Sequence, residues 1–307
     1  MATVAFFGSG GDGSMIPLDA VAKAQQVIAL VRPVRPRSWL RRIVRSALSQ
    51  FEVGTQGAMT RWAKLHNVSL IDAVSGNDPE AISRLTVLAP DVICVSAFPW
   101  VLGREMLQTA HHARLNVHPS LLPRHRGPNP LLWLYYHNDL CTGVTIHIMN
   151  ERADAGDILA QQSFDLPRGF PVDRLYYKNA LCGSQLLVQV LGELEGGRAK
   201  HEVQDERSAT YAPRMARGTA MVKFQEWDVE RVWHFLAGLC PRRREPLQEV
   251  SGRKVRYESV LGYTPGDCLR LAGTVQRASF GWNLYCRDGS VQLANAQHGK
   301  GEAHGED

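Results

Sequence analysis

The chain has 307 residues, of which 44% are hydrophobic and 21% are charged, a composition typical of globular proteins rather than disordered chains. No segment approaches the roughly 20 consecutive apolar residues that a membrane-spanning helix needs, so no membrane partner is expected. The formal net charge of +5 is compatible with an anionic partner but does not require one.

The cysteine spacing and the N-terminal segment both indicate a reduced, cytoplasmic protein. The six cysteines include no Cys-x-x-Cys pair, which argues against a zinc site and against a disulfide framework. We therefore expect no metal. The N-terminal stretch MATVAFFGSGG has no basic residue ahead of its apolar run and turns to glycine at Gly8, which is typical of a first strand rather than a signal peptide.

Apolar runs alternate with segments of helical spacing from the N-terminus onwards. Strands are predicted in TVAFFGSG, QQVIALVRP, PDVICVSAF, ARLNVH and TGVTIHIM. Helices are predicted in MIPLDAVAKA, NDPEAISRLTVLA, GREMLQTA, NPLLWLYYHND and the long PVDRLYYKNALCGSQLLVQVLGELEGG. This alternation predicts an α/β fold with a Rossmann-like, mostly parallel sheet covered by helices on both faces.

The C-terminal third has a different pattern. RAKHEVQDERSATYAPRMARGT is polar and irregular, and we interpret residues 201–220 as a linker that follows a larger domain over residues 1–200. A helix in DVERVWHFLAGL and short strands with Gly or Asp-Gly turns predict a small β-rich, OB-like domain over residues 221–297. Residues 298–307 have no apolar anchor and are expected to be disordered.

The stretch GSGGDG after the first strand, from Gly8 to Gly13, matches the dinucleotide fingerprint G-x-G-x-x-G. That fingerprint expects an acidic residue about 20 positions further on, to hold the ribose. Here the second strand ends in ALVRP, where an arginine would suit NADP better than NAD. An NAD(P)-binding protein is therefore one alternative, and a simple glycine-rich turn at the sheet edge is the other.

A run of six arginines without an acid extends from Arg32 to Arg45. Apolar residues recur in it at helical spacing, so the arginines fit the solvated face of an amphipathic helix. The same run also fits an arm that grips phosphates, with Arg41, Arg42 and Arg45 as substrate-binding residues. The sequence leaves both interpretations open.

Polar side chains follow two of the predicted strands at the point where each ends. LNVH places Asn116 and His118 on one side of the pleat, and ERADAGD brings Asp154 and Asp157 after the next strand. An amide that stabilises an oxyanion, an imidazole that moves a proton and a carboxylate that orients it suit acyl transfer. No serine or cysteine nucleophile accompanies the histidine, which favours direct attack by an amine. The role of Asp157 stays open.

The motifs NVHPSLLPRHRGPNP, TGVTIHIMNERADAGDILAQ and SATYAPRM resemble those of the folate-dependent formyltransferases, in the branch that contains methionyl-tRNA formyltransferase and the nucleotide-amino-sugar N-formyltransferases. The resemblance covers most of the chain and is most specific over residues 115–160. It implies an enzyme that uses 10-formyltetrahydrofolate, with Asn116, His118 and Asp154 as catalytic triad. Asn116 and protonated His118 would stabilise the tetrahedral intermediate, while Asp154 would hold His118 and help take the amine proton.

The resemblance also implies where the substrates bind. The pterin pocket would lie on SAFPWVL and NERADAGD, with five lining residues: Phe98, Trp100, Leu102, Arg152 and Ala153. Ser120 in the first motif would join the arginine run in binding the acceptor. Residues 1–200 would form the catalytic domain, and the second domain would match the small C-terminal barrel of the family.

Several departures from the tRNA enzymes leave the amine acceptor open. The chain has SGGDGSMIP in place of a TPxFA-like stretch, an arginine run in place of a basic glycine-containing loop, and RGPNP in place of RGAAP. RADAGDILAQ looks closer to the amino-sugar enzymes. The acceptor is either the amine of a sugar nucleotide or specialised metabolite, or the methionyl amine of initiator tRNA. A hydrolase that releases formate from the folate is a further alternative.

Overall fold

A computed structural model describes residues 1–34, 55–267 and 270–295 of the chain. Arg41, Arg42 and Arg45, the predicted phosphate-binding arginines, lie outside the described residues. The strands, helices and contacts of the protein given for this structure lie within these three ranges.

Seven strands form the main sheet. They are β1 Thr3–Gly8, β2 Gln26–Pro33, β3 Ser69–Ala73, β4 Val92–Ser96, β5 Ala113–His118, β6 Cys141–Ile148 and β7 Ile158–Asp165. Their order in the sheet is β3-β2-β1-β4-β5-β6-β7, with β1 to β5 paired in parallel and β6 antiparallel to β5. The predicted mostly parallel, Rossmann-like sheet is confirmed, and its order reverses direction between β1 and β4, where such sheets bind ligands.

Within the described ranges, six helices accompany the sheet strands. They are α1 Asp12–Ala24, α2 Thr55–His66, α3 Pro79–Leu88, α4 Arg104–Leu107, α5 Pro130–His137 and α6 Val172–Glu195. The helix predicted in GREMLQTA is only the four-residue α4. The sequence pattern predicts no element for α2, β3 or β7, whose apolar residues are few and interrupted by polar ones.

The sheet has an apolar core on each face because successive side chains of a strand point to opposite sides. Phe6 packs in one core, with side chains of α1, α2 and α6, and Phe7 packs in the other, with side chains of α3 and α4. Both rings are completely buried, and burial of one such ring stabilises the fold by about 2–3 kcal/mol. The five residues of β4 are all buried, as its continuous apolar run predicts.

The glycine-rich stretch after β1 forms a tight turn into α1. The Ser14 hydroxyl accepts a hydrogen bond of 2.8 Å from the Gly10 backbone N–H and donates one of 3.0 Å to the Gly11 carbonyl. At the end of β4, the Ser96 hydroxyl donates to the Gly13 carbonyl at 2.5 Å. These bonds hold the turn against the carboxyl end of β4.

The described residues group into two compact units. One contains residues 1–130, 142–164 and 176–212, and the other contains residues 131–141, 165–175 and the described part of 213–307. The domain boundaries predicted at residues 200 and 220 stay a prediction. None of the helices in the described ranges is long and apolar enough to cross a membrane.

The second unit is built around helix α7 and an antiparallel sheet. The helix α7 Val229–Leu239 begins at Asp228, whose carboxylate accepts from the Arg231 N–H at 2.8 Å. The strands are β8 Leu247–Gln248, β9 Lys254–Val255, β10 Ser259–Pro265, β11 Val275–Ala278, β12 Gly281–Cys286 and β13 Gly289–Ala294. β8 pairs with β9, and the others have the order β10-β13-β12-β11. The predicted β-rich C-terminal region is confirmed.

Candidate active site

Three polar side chains of the main sheet converge on one oxygen of Asp154. Its Oδ1 atom lies 3.3 Å from Asn116 Nδ2, 3.5 Å from His118 Nδ1 and 3.4 Å from His147 Nε2. Its Oδ2 atom accepts a hydrogen bond of 2.7 Å from the Gly127 backbone N–H. The structure therefore brings together Asn116, His118 and Asp154, and adds His147. We call these four residues the Asp154 cluster.

The strand geometry explains why these residues meet. Asn116 and His118 are two positions apart on β5, so both side chains leave the same face of the sheet. In the antiparallel pairing of β5 with β6, Asn116 lies directly opposite His147. Residues 149–157 then connect β6 to β7 and return Asp154 to the end of β5.

Small residues let the loop around Asp154 fold tightly. A Cβ atom on Gly156 would lie 1.9 Å from the Ile148 carbonyl oxygen, so only glycine fits there. Asp154 itself has a φ of 53°, in the left-handed region that aspartate tolerates better than most residues. Gly127, which donates to Asp154, has a φ of 108° and leaves no room for a Cβ against the Tyr211 ring.

His118 is buried with an acceptor facing each ring nitrogen. Its Nε2 atom lies 2.9 Å from the His125 carbonyl oxygen and donates to it, which leaves Nδ1 facing the Asp154 carboxylate. Burial lowers the pKa of His118 below its usual value, and the Asp154 carboxylate acts in the opposite direction. The imidazole is therefore mostly neutral at rest, and a proton bound at Nδ1 would lie next to the Asp154 carboxylate.

Asp154 stays ionised despite its burial. Burial alone would raise the pKa of the carboxyl group, but the contacts with His118 and His147 and the hydrogen bond from the Gly127 N–H together hold that pKa well below its usual range. Asp157, whose role the sequence leaves open, pairs instead with His201, at 3.7 Å from Oδ2 to Nδ1, and is partly exposed.

The sequence pattern does not identify His147, although it touches two members of the predicted triad. Its Nδ1 atom lies 3.0 Å from the Ile148 carbonyl oxygen and therefore carries a hydrogen. Its Nε2 atom is then free to accept from Asn116 Nδ2, at 3.0 Å. The signal available in the sequence was its place on a strand adjacent to NVH, seven residues before Asp154.

Three of the predicted pterin-pocket residues lie together after β4. The Phe98 ring packs edge-to-face on Phe7 and on Trp100, with centroid distances of 5.3 and 5.4 Å. Phe98 and Trp100 are half-buried, whereas Leu102 is 3% exposed and belongs to the apolar core beneath them. Of these three side chains, only the two aromatic ones are partly exposed to solvent.

The other predicted binding residues have varied surroundings. Arg152 and Ala153 directly precede Asp154, and the exposed Arg152 pairs with Glu206 at 3.1 Å. The Ser120 hydroxyl is buried and donates to the Arg124 carbonyl at 2.8 Å, and its role in binding the acceptor stays a prediction. Within the described ranges, no group of three or more His, Cys, Asp and Glu side chains is placed to hold a metal ion.

Comparison with known proteins gives consistent matches. A methionyl-tRNA formyltransferase of Clostridium acetobutylicum is 34% identical over 165 residues, which is 54% of this chain and 53% of that protein. One of Geobacter metallireducens is 25% identical over 282 residues, 90% of this chain and 85% of that protein. Several such relatives are matched over only 53% to 59% of their own length.

Among solved structures, the fold is similar to that of an N-formyltransferase from Helicobacter canadensis in complex with folinic acid and dTDP-3-aminofucose. The TM-score is 0.72 at 13% identity, with 96% of this chain and 99% of that chain covered. The family model for formyl transferase matches residues 5–191, which contain most of β1, all of β2 to β7 and the whole Asp154 cluster. The chain belongs to the formyl transferase family.

Proposed function

We propose that the protein transfers a formyl group from 10-formyltetrahydrofolate to a primary amine. The observation that carries this proposal is the convergence of Asn116 and His118 on Asp154 Oδ1, at 3.3 and 3.5 Å. It is supported by the names of the relatives, methionyl-tRNA formyltransferases, and by the folinic acid in the Helicobacter canadensis structure. Phe98 and Trp100, half-buried beyond β4, suit the flat pterin ring of a folate.

The folate supplies the formyl carbon. The amine nitrogen forms a bond to that carbon, negative charge develops on the formyl oxygen, and the bond from the carbon to the folate nitrogen then breaks. The amine loses one proton, and the departing folate nitrogen gains one. This exchange needs an N–H donor for the oxygen and a pair of groups that holds the proton in transit. Asn116 supplies the donor, and His118 and Asp154 form the pair.

Asn116 is the donor for the developing oxyanion. One of its amide hydrogens points to His147 Nε2 at 3.0 Å and the other to Asp154 Oδ1 at a longer 3.3 Å. A hydrogen bond to a localised negative charge is shorter and stronger than a long, shared one. The oxyanion therefore draws the amide hydrogen away from Asp154, while His147 keeps the amide from rotating.

His118 and Asp154 take the amine proton and pass it on. At rest the buried imidazole is mostly neutral and its Nδ1 atom faces an ionised carboxylate. Protonation converts this contact into a hydrogen-bonded ion pair, and the positive charge also stabilises the neighbouring oxyanion. The proton then leaves for the folate nitrogen, which returns His118 to its neutral form.

The relatives suggest two classes of acceptor. The curated relatives are named for methionyl-tRNA, and the Helicobacter canadensis structure contains an amino-sugar nucleotide. We therefore test the proposal by following the release of tetrahydrofolate from 10-formyltetrahydrofolate. Charged initiator tRNA, a panel of amino-sugar nucleotides and a sample without amine are run side by side.

Turnover that depends on an amine, with a formylated product, is the expected result. Release of formate at the same rate without amine would make the protein a hydrolase. Binding of NAD(P)H without any binding of the folate would overturn the proposal. A steep loss of rate with salt would favour tRNA over a small metabolite, because each phosphate contact releases counterions.

A further inference from the structure

We propose that Gln204 is a positioning residue, which holds the loop that carries Asp154 against the loop that carries Gly127 and His125. Its effect on catalysis rests on the function proposed above, but its effect on His118 does not. Gln204 lies in the polar, irregular segment after the long helix, in the same compact unit as the Asp154 cluster.

Every hydrogen-bonding group of the Gln204 side chain is used. Its Nε2 atom donates to the Asp154 carbonyl at 2.9 Å and to the Gly156 carbonyl at 2.6 Å. Its Oε1 atom accepts from Arg126 Nε at 2.9 Å and from Arg126 Nη2 at 2.8 Å. An amide has two donors and two acceptor sites, and all four are satisfied although the residue is only 6% exposed.

The two loops that Gln204 joins contact opposite ends of the His118–Asp154 pair. Arg126 lies between His125, whose carbonyl accepts from His118 Nε2, and Gly127, whose N–H donates to Asp154 Oδ2. The Asp154 loop contributes the carboxylate that faces His118 Nδ1. A shift between the loops would therefore lengthen contacts on both sides of the imidazole.

Asp154 needs this support because of its backbone. Its φ of 53° is unfavourable for a residue with a side chain and persists only where neighbouring groups hold it. Gln204 helps to hold this backbone conformation by donating a hydrogen bond to the Asp154 carbonyl oxygen. Glu206 also bridges the loops, to the buried Arg126 at 3.0 Å and to the exposed Arg152 at 3.1 Å, but its own carboxylate is exposed to solvent, which weakens both pairs.

Arg126 keeps its place without Gln204. Its backbone N–H donates to the Thr210 carbonyl at 2.9 Å, and its carbonyl accepts from the Ala212 N–H at 2.7 Å. A substitution at Gln204 should therefore release the Asp154 loop and leave the Arg126 loop in position. The titratable groups that face His118 are Asp154, His147 and His125, and an uncharged substitution at Gln204 alters none of them directly.

The test compares Gln204→Met, Gln204→Glu and the control Gln189→Met. Methionine has a similar size and no charge but loses all four hydrogen bonds. Glutamate keeps an acceptor for Arg126 and loses both donors to the Asp154 loop. Gln189 is an exposed residue of α6 that bonds only to Glu193 in the described structure, so its replacement controls for the chemical change.

We expect kcat to fall about 10-fold to 100-fold in Gln204→Met and Gln204→Glu, with KM for the folate within about twofold of wild type. An imidazole NMR titration gives a readout independent of activity. Since the Asp154 carboxylate raises the pKa of His118, its displacement in Gln204→Met should lower that pKa relative to wild type and to Gln189→Met.

The outcomes separate the two proposals. A shifted His118 titration in a protein that transfers no formyl group would support the role of Gln204 and contradict the proposed function. An unshifted titration in Gln204→Met, or wild-type kcat in an active enzyme, would overturn the role of Gln204. If Gln204→Met does not fold, Gln204→Glu decides, and a loss of kcat without a change in KM is the result required.

Discussion

Two of the buried histidines have different surroundings, His118 at the end of β5 and His234 on α7. His234 is completely buried, accepts a hydrogen bond of 2.9 Å from the Gly169 N–H at Nδ1, and has no hydrogen-bond partner for Nε2 among the described residues. Burial lowers its pKa to about 4, with Arg168 acting in the same direction. His118 is also buried, but Asp154 faces its Nδ1 atom and the His125 carbonyl faces its Nε2 atom.

The difference shows what a buried histidine needs if it is to bind a proton. Burial alone makes the imidazole a neutral packing residue, as in His234 against the Tyr135 ring. An acceptor at each nitrogen and a carboxylate in contact allow the same group to take a proton without leaving a buried charge unpaired. Chemistry is therefore expected at His118 and not at His234.

The largest expected effect follows from replacing His118. His118→Ala and His118→Gln should each lower kcat by about 10²-fold or more, because neither side chain carries a proton between amine and folate. Glutamine retains most of the side-chain volume and a donor for the His125 carbonyl. Its kcat therefore distinguishes the loss of proton transfer from a loss of packing. His234→Asn serves as the control and should keep wild-type kcat at neutral pH. Full activity in either His118 variant would contradict the assignment.

The second prediction makes His118 resemble His234 by removing the carboxylate. Asp154→Asn keeps the shape of the side chain and an acceptor for the Gly127 N–H but loses the charge. We expect kcat to fall about 10²-fold and the pKa of His118 to fall further below its usual value, since Asp154 raises it. Steady-state kinetics and an imidazole NMR titration measure the two effects, and an unchanged titration would show that the contact is not electrostatic.

A smaller effect is expected at His147, which acts through Asn116. His147→Phe removes the acceptor for the Asn116 amide, so kcat should fall about 10-fold while KM for the folate stays nearly constant. His147→Gln places an amide oxygen where Nε2 lies and should recover most of that loss. Equal kcat values for the two variants would mean that His147 only fills space.

Local patterns were sufficient to predict most of the sheet and part of the site. Asn116 and His118 follow from the period-two alternation of one strand. The loop after the next strand supplies Asp154 and Asp157, and the family resemblance selects Asp154. The parts that the sequence analysis missed depend on partners distant in the chain. His147 becomes part of the site through the antiparallel pairing of β5 with β6, and Gln204 reaches Asp154 across 50 positions.

The predicted binding residues also show what the sequence does not specify. Ser120 stands in a motif that indicates substrate contact, yet its hydroxyl is satisfied by the Arg124 carbonyl four residues on. Leu102 stands among aromatic residues that suit a pterin, yet its own side chain fills the core. A sequence motif indicates which loop approaches the ligand, but the direction of each side chain depends on packing that only the folded structure specifies.

The smallest expected effect is on the pH dependence of protein stability, and it depends on His234. Its pKa of about 4 in the folded state lies below the ordinary value of 6.5, so between these values the unfolded chain binds more protons than the folded one. Stability must then rise with pH in this window and fall as the solution is acidified from 6.5 towards 4. From about pH 8 to about pH 6 the expected loss is about 1 kcal/mol, and it grows below that. In urea unfolding, His234→Asn should show a smaller change of the unfolding free energy with pH over this range. An unchanged slope would mean that other groups cause the pH dependence.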